Sequence, residues 1–337
     1  MIDILVAGGG PAGLAAAIRA AAAGLEAVVV EPRPAPVDKA CGEGIMPSGV
    51  AALRALGVTP AGSELRGIRY VEGARRAEAS FRGGPGLGVR RTALHAALHR
   101  RAGELGVRVV TGRVEEVRQG HDSVTAAGMT ARWLIAADGL HSPSRRALGL
   151  ERPSTAPRRY GLRRHYAVAP WTDFVEVHWS RHGEAYVTPV GEGLVGVAVL
   201  SRHRCSHEQH LAAFPALARA LRGLDAGPVR GAGPLRRTAA APRAGRVLLV
   251  GDAAGYVDAL TGEGIALATA TAAAAVDCLA AGRPELYPAR WTRLTRRHRL
   301  LTQALLATAG HPLTAGLIVP AAQRLPPLFT AAVRALQ

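Results

Sequence analysis

The residues with the clearest chemistry stand at the start of the sequence. Ile4-Leu5-Val6-Ala7 is a short apolar run, and Gly8-Gly9-Gly10-Pro11-Ala12-Gly13 follows it directly, ahead of an alanine-rich stretch to Ala23. The order reads strand, tight turn, helix. In this G-x-G-x-x-G spacing Gly8 permits the turn, Gly10 lets the backbone approach a pyrophosphate, and Gly13 lets helix and strand pack closely. Pro11 and Ala12 open a helix whose N-terminus favours an anion. After Gly24 a second apolar run, Val28-Val29-Val30, ends in Glu31, where a carboxylate accepts hydrogen bonds from ribose hydroxyls. A glycine-rich structural turn alone does not explain that order.

Two further apolar runs end in an acid beside a glycine: Trp133 to Ala137 before Asp138-Gly139, and Val247 to Val250 before Gly251-Asp252. In a parallel sheet covered by helices, ligands gather at the carboxyl ends of the strands, so these ends are expected to share one edge and one large ligand. A turn or helix cap is the other role open to Asp138 and Asp252, and the two roles can coexist.

The 337 residues, 48% hydrophobic, suit one large or two intimately joined domains. Cys41, Cys205 and Cys278 are odd in number and far apart, which argues against a disulfide framework. With no secretory leader and no apolar run near the roughly 20 residues of a membrane span, a cytoplasmic location is expected. The formal net charge is +17, and Lys39 is the only lysine. Because the arginines are scattered singly and in pairs, they read as compositional bias rather than as a nucleic-acid site. Attraction of an anionic cofactor or of an anionic membrane surface stays open.

With these three motifs in order, the chain resembles the flavoprotein superfamily that includes para-hydroxybenzoate hydroxylase, geranylgeranyl reductase and the flavin-dependent halogenases. The resemblance implies FAD, with Gly8, Gly10, Gly13 and Glu31 holding its ADP part. It sets Asp138 and Gly139 near the pyrophosphate and pyridine-nucleotide binding, Gly251 and Asp252 at the ribityl chain, and Arg91 in contact with FAD. The segments 38–44 and 255–265 resemble the geranylgeranyl-reductase branch, although Ala259 stands where that branch has proline. There Gly262 and Gly264, followed by Ile265, open a helix whose backbone N–H groups face the reduced flavin ring.

The implied fold is α/β: a Rossmann-like FAD-binding domain of the glutathione-reductase type, spanning 1–65, 88–152 and 244–337. A mainly antiparallel substrate domain, 66–87 and 153–243, interrupts it. Cys41 is either a group beside the flavin or an inert filler, and Glu43 either binds substrate or caps a following helix. Tyr186 and Thr188 are candidate pocket residues on a strand expected to face the flavin. His95 and His99 read as surface histidines, and Ser206 with Gln209 forms a capping box for a helix through Leu221, so no metal is expected. The expected activity is that of an NADPH- or NADH-dependent monooxygenase on a small, largely apolar phenol. Reduction of isoprenoid double bonds is the alternative, and a non-enzymatic redox or nucleic-acid-associated flavoprotein the third reading.

Overall fold

The computed structural model describes residues 1–335; positions 336 and 337, the end of the expected 244–337 segment, lie outside them. The first half of the chain runs β1 (Ile2–Ala7), α1 (Pro11–Ala22), β2 (Ala27–Glu31), β3 (Gly67–Glu72), β4 (Arg75–Ser80), α2 (Arg91–Glu104), β5 (Arg108–Thr111) and β6 (Met129–Ala136). Then come β7 (Tyr160–Ala167), β8 (Phe174–Ser180), β9 (Gly183–Gly191), β10 (Leu194–Ser201), β11 (Arg230–Ala232) and β12 (Val247–Leu249). Helices α3 (Gly264–Ala280), α4 (Tyr287–Gly310), α5 (Ile318–Arg324) and α6 (Pro326–Arg334) follow, with shorter elements between.

Strands β12, β6, β1, β2 and β5 lie side by side in that order and all parallel. The apolar runs of β1, β2 and β12 and the end of β6 are buried on both faces, as a helix-covered parallel sheet requires, while β5 forms the partly exposed edge. Alanines at Ala12, Ala15, Ala16, Ala268, Ala272 and Ala275 pack into the same core, so α1 and α3 approach closely. The three acid-bearing strand ends therefore share one edge, and the expected α/β dinucleotide-binding architecture is present.

A second sheet, in the order β11-β7-β10-β9-β8-β3-β4, is antiparallel except where β8 runs parallel to β3. Ile68, Ala77 and Ala79 on one face pack with Ile318, Val319 and Phe329 of α5 and α6. Those last helices, grouped from the sequence with the parallel sheet, thus lie on the antiparallel one. On the other face Val187, Val195 and Val197 meet Phe214 and Leu217. The capping box of Ser206 and Gln209 forms, but the helix it opens stops at Leu211, and a new one starts at Pro215. Pro215 has no N–H to continue the ladder and holds Phe214 at φ −128°, ψ 70°, outside the helical region.

Candidate functional site

The carboxyl ends of β1, β2, β6 and β12 open onto a cavity of about 1400 Å³, above the roughly 1,000 Å³ upper range of small-ligand pockets. Gly8, Gly10, Pro11, Ala12, Glu31, Arg91, Asp138, Gly139 and Asp252 line it. So do Cys41, Glu43, Tyr186, Gly262, Gly264 and Ile265. Gly13, Gly251 and Thr188 stand behind the wall.

The glycines divide by what surrounds them. Gly8 sits at φ +101°, and a Cβ there would lie 2.6 Å from the Ala137 carbonyl oxygen. A Cβ on Gly13 would strike the carbonyl oxygen of Gly8, so helix and turn touch there. Gly10 has no protein atom within 4 Å of that position and faces open space. Glu31 Oε2 accepts from Gly9 N at 2.8 Å, and Oε1 accepts from Arg33 Nε at 2.7 Å. Burial pushes the Glu31 carboxyl up, but Arg33 and the Gly9 N–H outweigh it and hold it below its ordinary value.

His95 corrects an expectation. It is 2% exposed rather than on the surface, because α2 turns it toward the glycine turn. Its Nε2 donates to the Gly9 carbonyl oxygen at 3.0 Å, and burial with the charge of Arg91 lowers its pKa to about 4.

Asp138 Oδ2 accepts from Ser144 N at 2.8 Å, whereas its buried Oδ1 has no partner. The same holds for the Arg91 Nη1 atom. Burial raises the Asp252 carboxyl. Arg145, fully buried, ties the two acidic turns together: Nη2 donates to Leu140 O and Nη1 to Ala253 O, both at 2.9 Å. Gly251, at φ +55°, donates its N–H to Thr271 Oγ1.

Around Cys41 the loop is held by charge and strain. Glu43 adopts φ +61°, outside the range most side chains favour, and this turns its carboxylate inward. Oε1 accepts from Arg91 N at 2.8 Å, and Oε2 accepts from His165 Nε2 at 2.7 Å. His165 Nδ1 faces Arg163 Nη1 at 3.0 Å, and a guanidinium only donates, so the ring proton sits on Nε2. Arg163 continues to Asp38 at 2.5 Å. Glu43 therefore caps α2, far along the chain, rather than the helix that follows it. There is room because Gly196 lacks a side chain: a Cβ there would lie 2.8 Å from Glu43 Oε2. Glu43 N donates to Cys41 Sγ at 3.3 Å, and burial, then the Glu43 charge, raises the thiol. Thr188 donates to Gly42 O at 2.8 Å, so its hydroxyl secures the loop instead of facing the cavity. Tyr186 donates to Leu260 O at 3.2 Å.

Residues 1–283 match the family described as FAD binding domain. This chain belongs to that family. It is 33% identical to a menaquinone reductase of Mycobacterium tuberculosis over 78% of this chain and 72% of the relative. It is 30% identical to digeranylgeranylglycerophospholipid reductase 2 of Methanopyrus kandleri over 78% and 73%. A flavoprotein/dehydrogenase structure from Cytophaga hutchinsonii superposes with a TM-score of 0.83 at 17% identity, covering 99% of this chain and 93% of the other. The protein is thus an FAD-dependent oxidoreductase, and the curated relatives it resembles are reductases.

The residues present fit FAD. Open space over Gly10, the unpartnered Arg91 Nη1 and the unpartnered Asp138 Oδ1 are a cradle, a cation and an acceptor on one long cavity. Sequence reasoning missed Arg145, His95 and His165. Arg145 stands seven residues past Asp138, close enough to the second motif to be considered with it; His165, in a strand with no motif, carried no signal. Among the described residues no helix is long and apolar enough to cross a membrane.

Proposed function

We propose that this flavoprotein reduces a carbon–carbon double bond in an isoprenoid chain. The observation that carries the reading is the substrate side of the cavity, where Met46, Ile68, Val175, Val177 and Leu200 form an apolar wall continuous with the half-buried thiol of Cys41. The names of the two relatives, menaquinone reductase and digeranylgeranylglycerophospholipid reductase, refer to molecules with polyisoprenoid chains and support it.

Saturating an alkene needs a hydride on one carbon and a proton on the other. FAD, when bound and reduced by NADPH or NADH, would supply the hydride. Gly8, Gly10 and Gly13 would shape the seat of the pyrophosphate, Glu31 would hold the ribose, Arg91 and Asp138 would lie on the phosphate side and Asp252 would serve the ribityl chain. The N-terminus of α3 at Gly264, just past the turn at Gly262, would offer N–H groups and a positive potential to an anionic ring. Cys41 holds the proton at Sγ, since burial and Glu43 favour the neutral thiol. When the proton leaves, the Glu43 N–H and the nearby charges of Arg91 and Arg163 stabilise the thiolate. The apolar wall aligns the chain and excludes water.

Phenol hydroxylation, the first expectation from the sequence, asks for a free base to form a phenolate. Glu43 is bonded through both oxygens, and Asp258 in the same wall is paired with Arg159 at 3.0 Å. Anaerobic incubation of the NADPH-reduced protein with geranylgeranyl and menaquinone compounds should give products two hydrogens heavier. A product carrying one atom of labelled oxygen, formed only in air, would restore the hydroxylase reading.

A further inference from the structure

The sequence beyond Glu285 contains no acidic residue, yet it carries Arg290, Arg293, Arg296, Arg297, Arg299, Arg324 and Arg334. Helix α4 buries Trp291, Thr295, His298 and Thr302, at spacings that follow one face. On the opposite face residues 293, 297, 300, 304 and 307 form an exposed row that starts with two arginines and ends apolar. Arg293, Arg296 and Arg297 have no acidic partner among the described residues. Leu300, one helical turn on from Arg296 and Arg297, is 56% exposed, and further along the same segment Leu317 is 57%, Leu325 51% and Leu328 65% exposed. Leucines at such exposure, in one segment with unpaired cations, supply the two attractions of an interfacial membrane helix.

We propose that the α4–α6 segment is the docking surface for an anionic lipid leaflet, its arginines meeting headgroups and its leucines entering the acyl boundary. A second copy of the chain fits poorly, because it would bring two acid-free cationic surfaces together. Nucleic acid would use the arginines and leave the leucines without a role. Leu305, on the same α4, lines the substrate cavity. If the isoprenoid reading holds, docking also sets the cavity beside the phase in which such a chain dissolves; the docking itself does not depend on that reading.

The test is sedimentation of the full-length FAD-loaded protein with vesicles of phosphatidylcholine, with and without phosphatidylglycerol. These vesicles hold no substrate and no turnover is read, so failure here is separate from failure of the reductase reading. Binding is expected only with the anionic lipid. Each neutralised arginine should weaken it about 5-fold, so Arg296→Gln/Arg297→Gln loses about 25-fold. Leu325→Ser/Leu328→Ser, which leaves the charge unchanged, should lose on the order of 10-fold. Melting temperature and flavin content serve as folding controls. No binding to anionic vesicles overturns the proposal. So does leucine-independent binding matched by duplex DNA at the same salt, which assigns the surface to nucleic acid.

Discussion

Thr188 donates its hydroxyl to the carbonyl oxygen of Gly42 at 2.8 Å, and thereby joins strand β9 to the loop that carries Cys41. Tyr186, two residues earlier on the same face, makes the matching bond to Leu260 on the other loop of the cavity. The central strand of the antiparallel sheet thus sets the spacing of both. Thr188→Val keeps the shape and leaves the Gly42 oxygen without its donor, at a cost of about 1–2 kcal/mol. We expect that loss in a denaturation midpoint, together with a fall of at least about 10-fold in double-bond reduction, while Thr188→Ser restores both. Full activity in the valine variant would leave the bond a purely structural detail.

The glycines of the first turn should separate under substitution. At Gly10 an added Cβ meets no protein atom within 4 Å, so Gly10→Val should fold as apo-protein with an ordinary melting temperature, but its side chain would occupy the phosphate seat. Purified variant should carry little flavin. Gly13→Ala strikes the Gly8 carbonyl oxygen and should lower the melting temperature before any cofactor is added. Equal flavin content in Gly10→Val and the parent would refute the seat.

What was legible in the sequence was what backbone geometry enforces locally. The glycine turn, the strand before it and Glu31 lie within one short segment, and the turn requires a positive φ at Gly8. The repeated strand ends at Asp138 and Asp252 followed because parallel strands place their ends at one edge. The Glu43 network was not legible, since it joins residues 38, 43, 91, 163 and 165, which meet only when the two sheets pack. Nothing local tells that Gly196 is small to admit a carboxylate from another segment. His95 looked like a surface residue because its partner, the Gly9 carbonyl, is a backbone atom with no sequence signature.

Two buried groups should give opposite pH dependences. Asp258 shares Arg159 with Glu184; burial, against the attraction of Arg159 and with the repulsion of Glu184, raises its pKa to about 6. The folded state then binds more protons than the unfolded one between the ordinary value of 3.8 and about 6, so this contribution falls as pH rises through that window. His95, lowered to about 4 from 6.5, binds fewer protons when folded, so its contribution rises with pH between those values. Each is worth roughly 3 kcal/mol across its window, and in the wild type they largely cancel. Urea midpoints of the apo-protein at pH 4.5 and 6.5 should show Asp258→Asn gaining stability with pH more steeply than the parent, and His95→Gln losing it. Parallel shifts at both pH values would mean that neither group titrates where stated.

The role of Cys41 is the sharpest prediction, because the thiol has two readings with different consequences. As an inert filler it contributes only packing, and Cys41→Ala would leave the rate of double-bond reduction near that of the parent. As the group that holds the proton at Sγ, its loss should slow reduction of the isoprenoid substrate by about 100-fold or more, the range general acids contribute. Reduction of the bound flavin by NADPH, followed by its bleaching, should be unchanged, since that step does not need the thiol. The two rates can be read separately by rapid mixing without oxygen. Cys41→Ser keeps a proton on a far weaker acid and should fall between the parent and the alanine variant. In deuterated water the thiol exchanges, so the wild-type product should carry one solvent-derived deuterium on the carbon that does not receive the hydride. An alanine variant that turns over at the parental rate, with the same deuterium on the same carbon, would move the proton to another group in the wall and return Cys41 to packing.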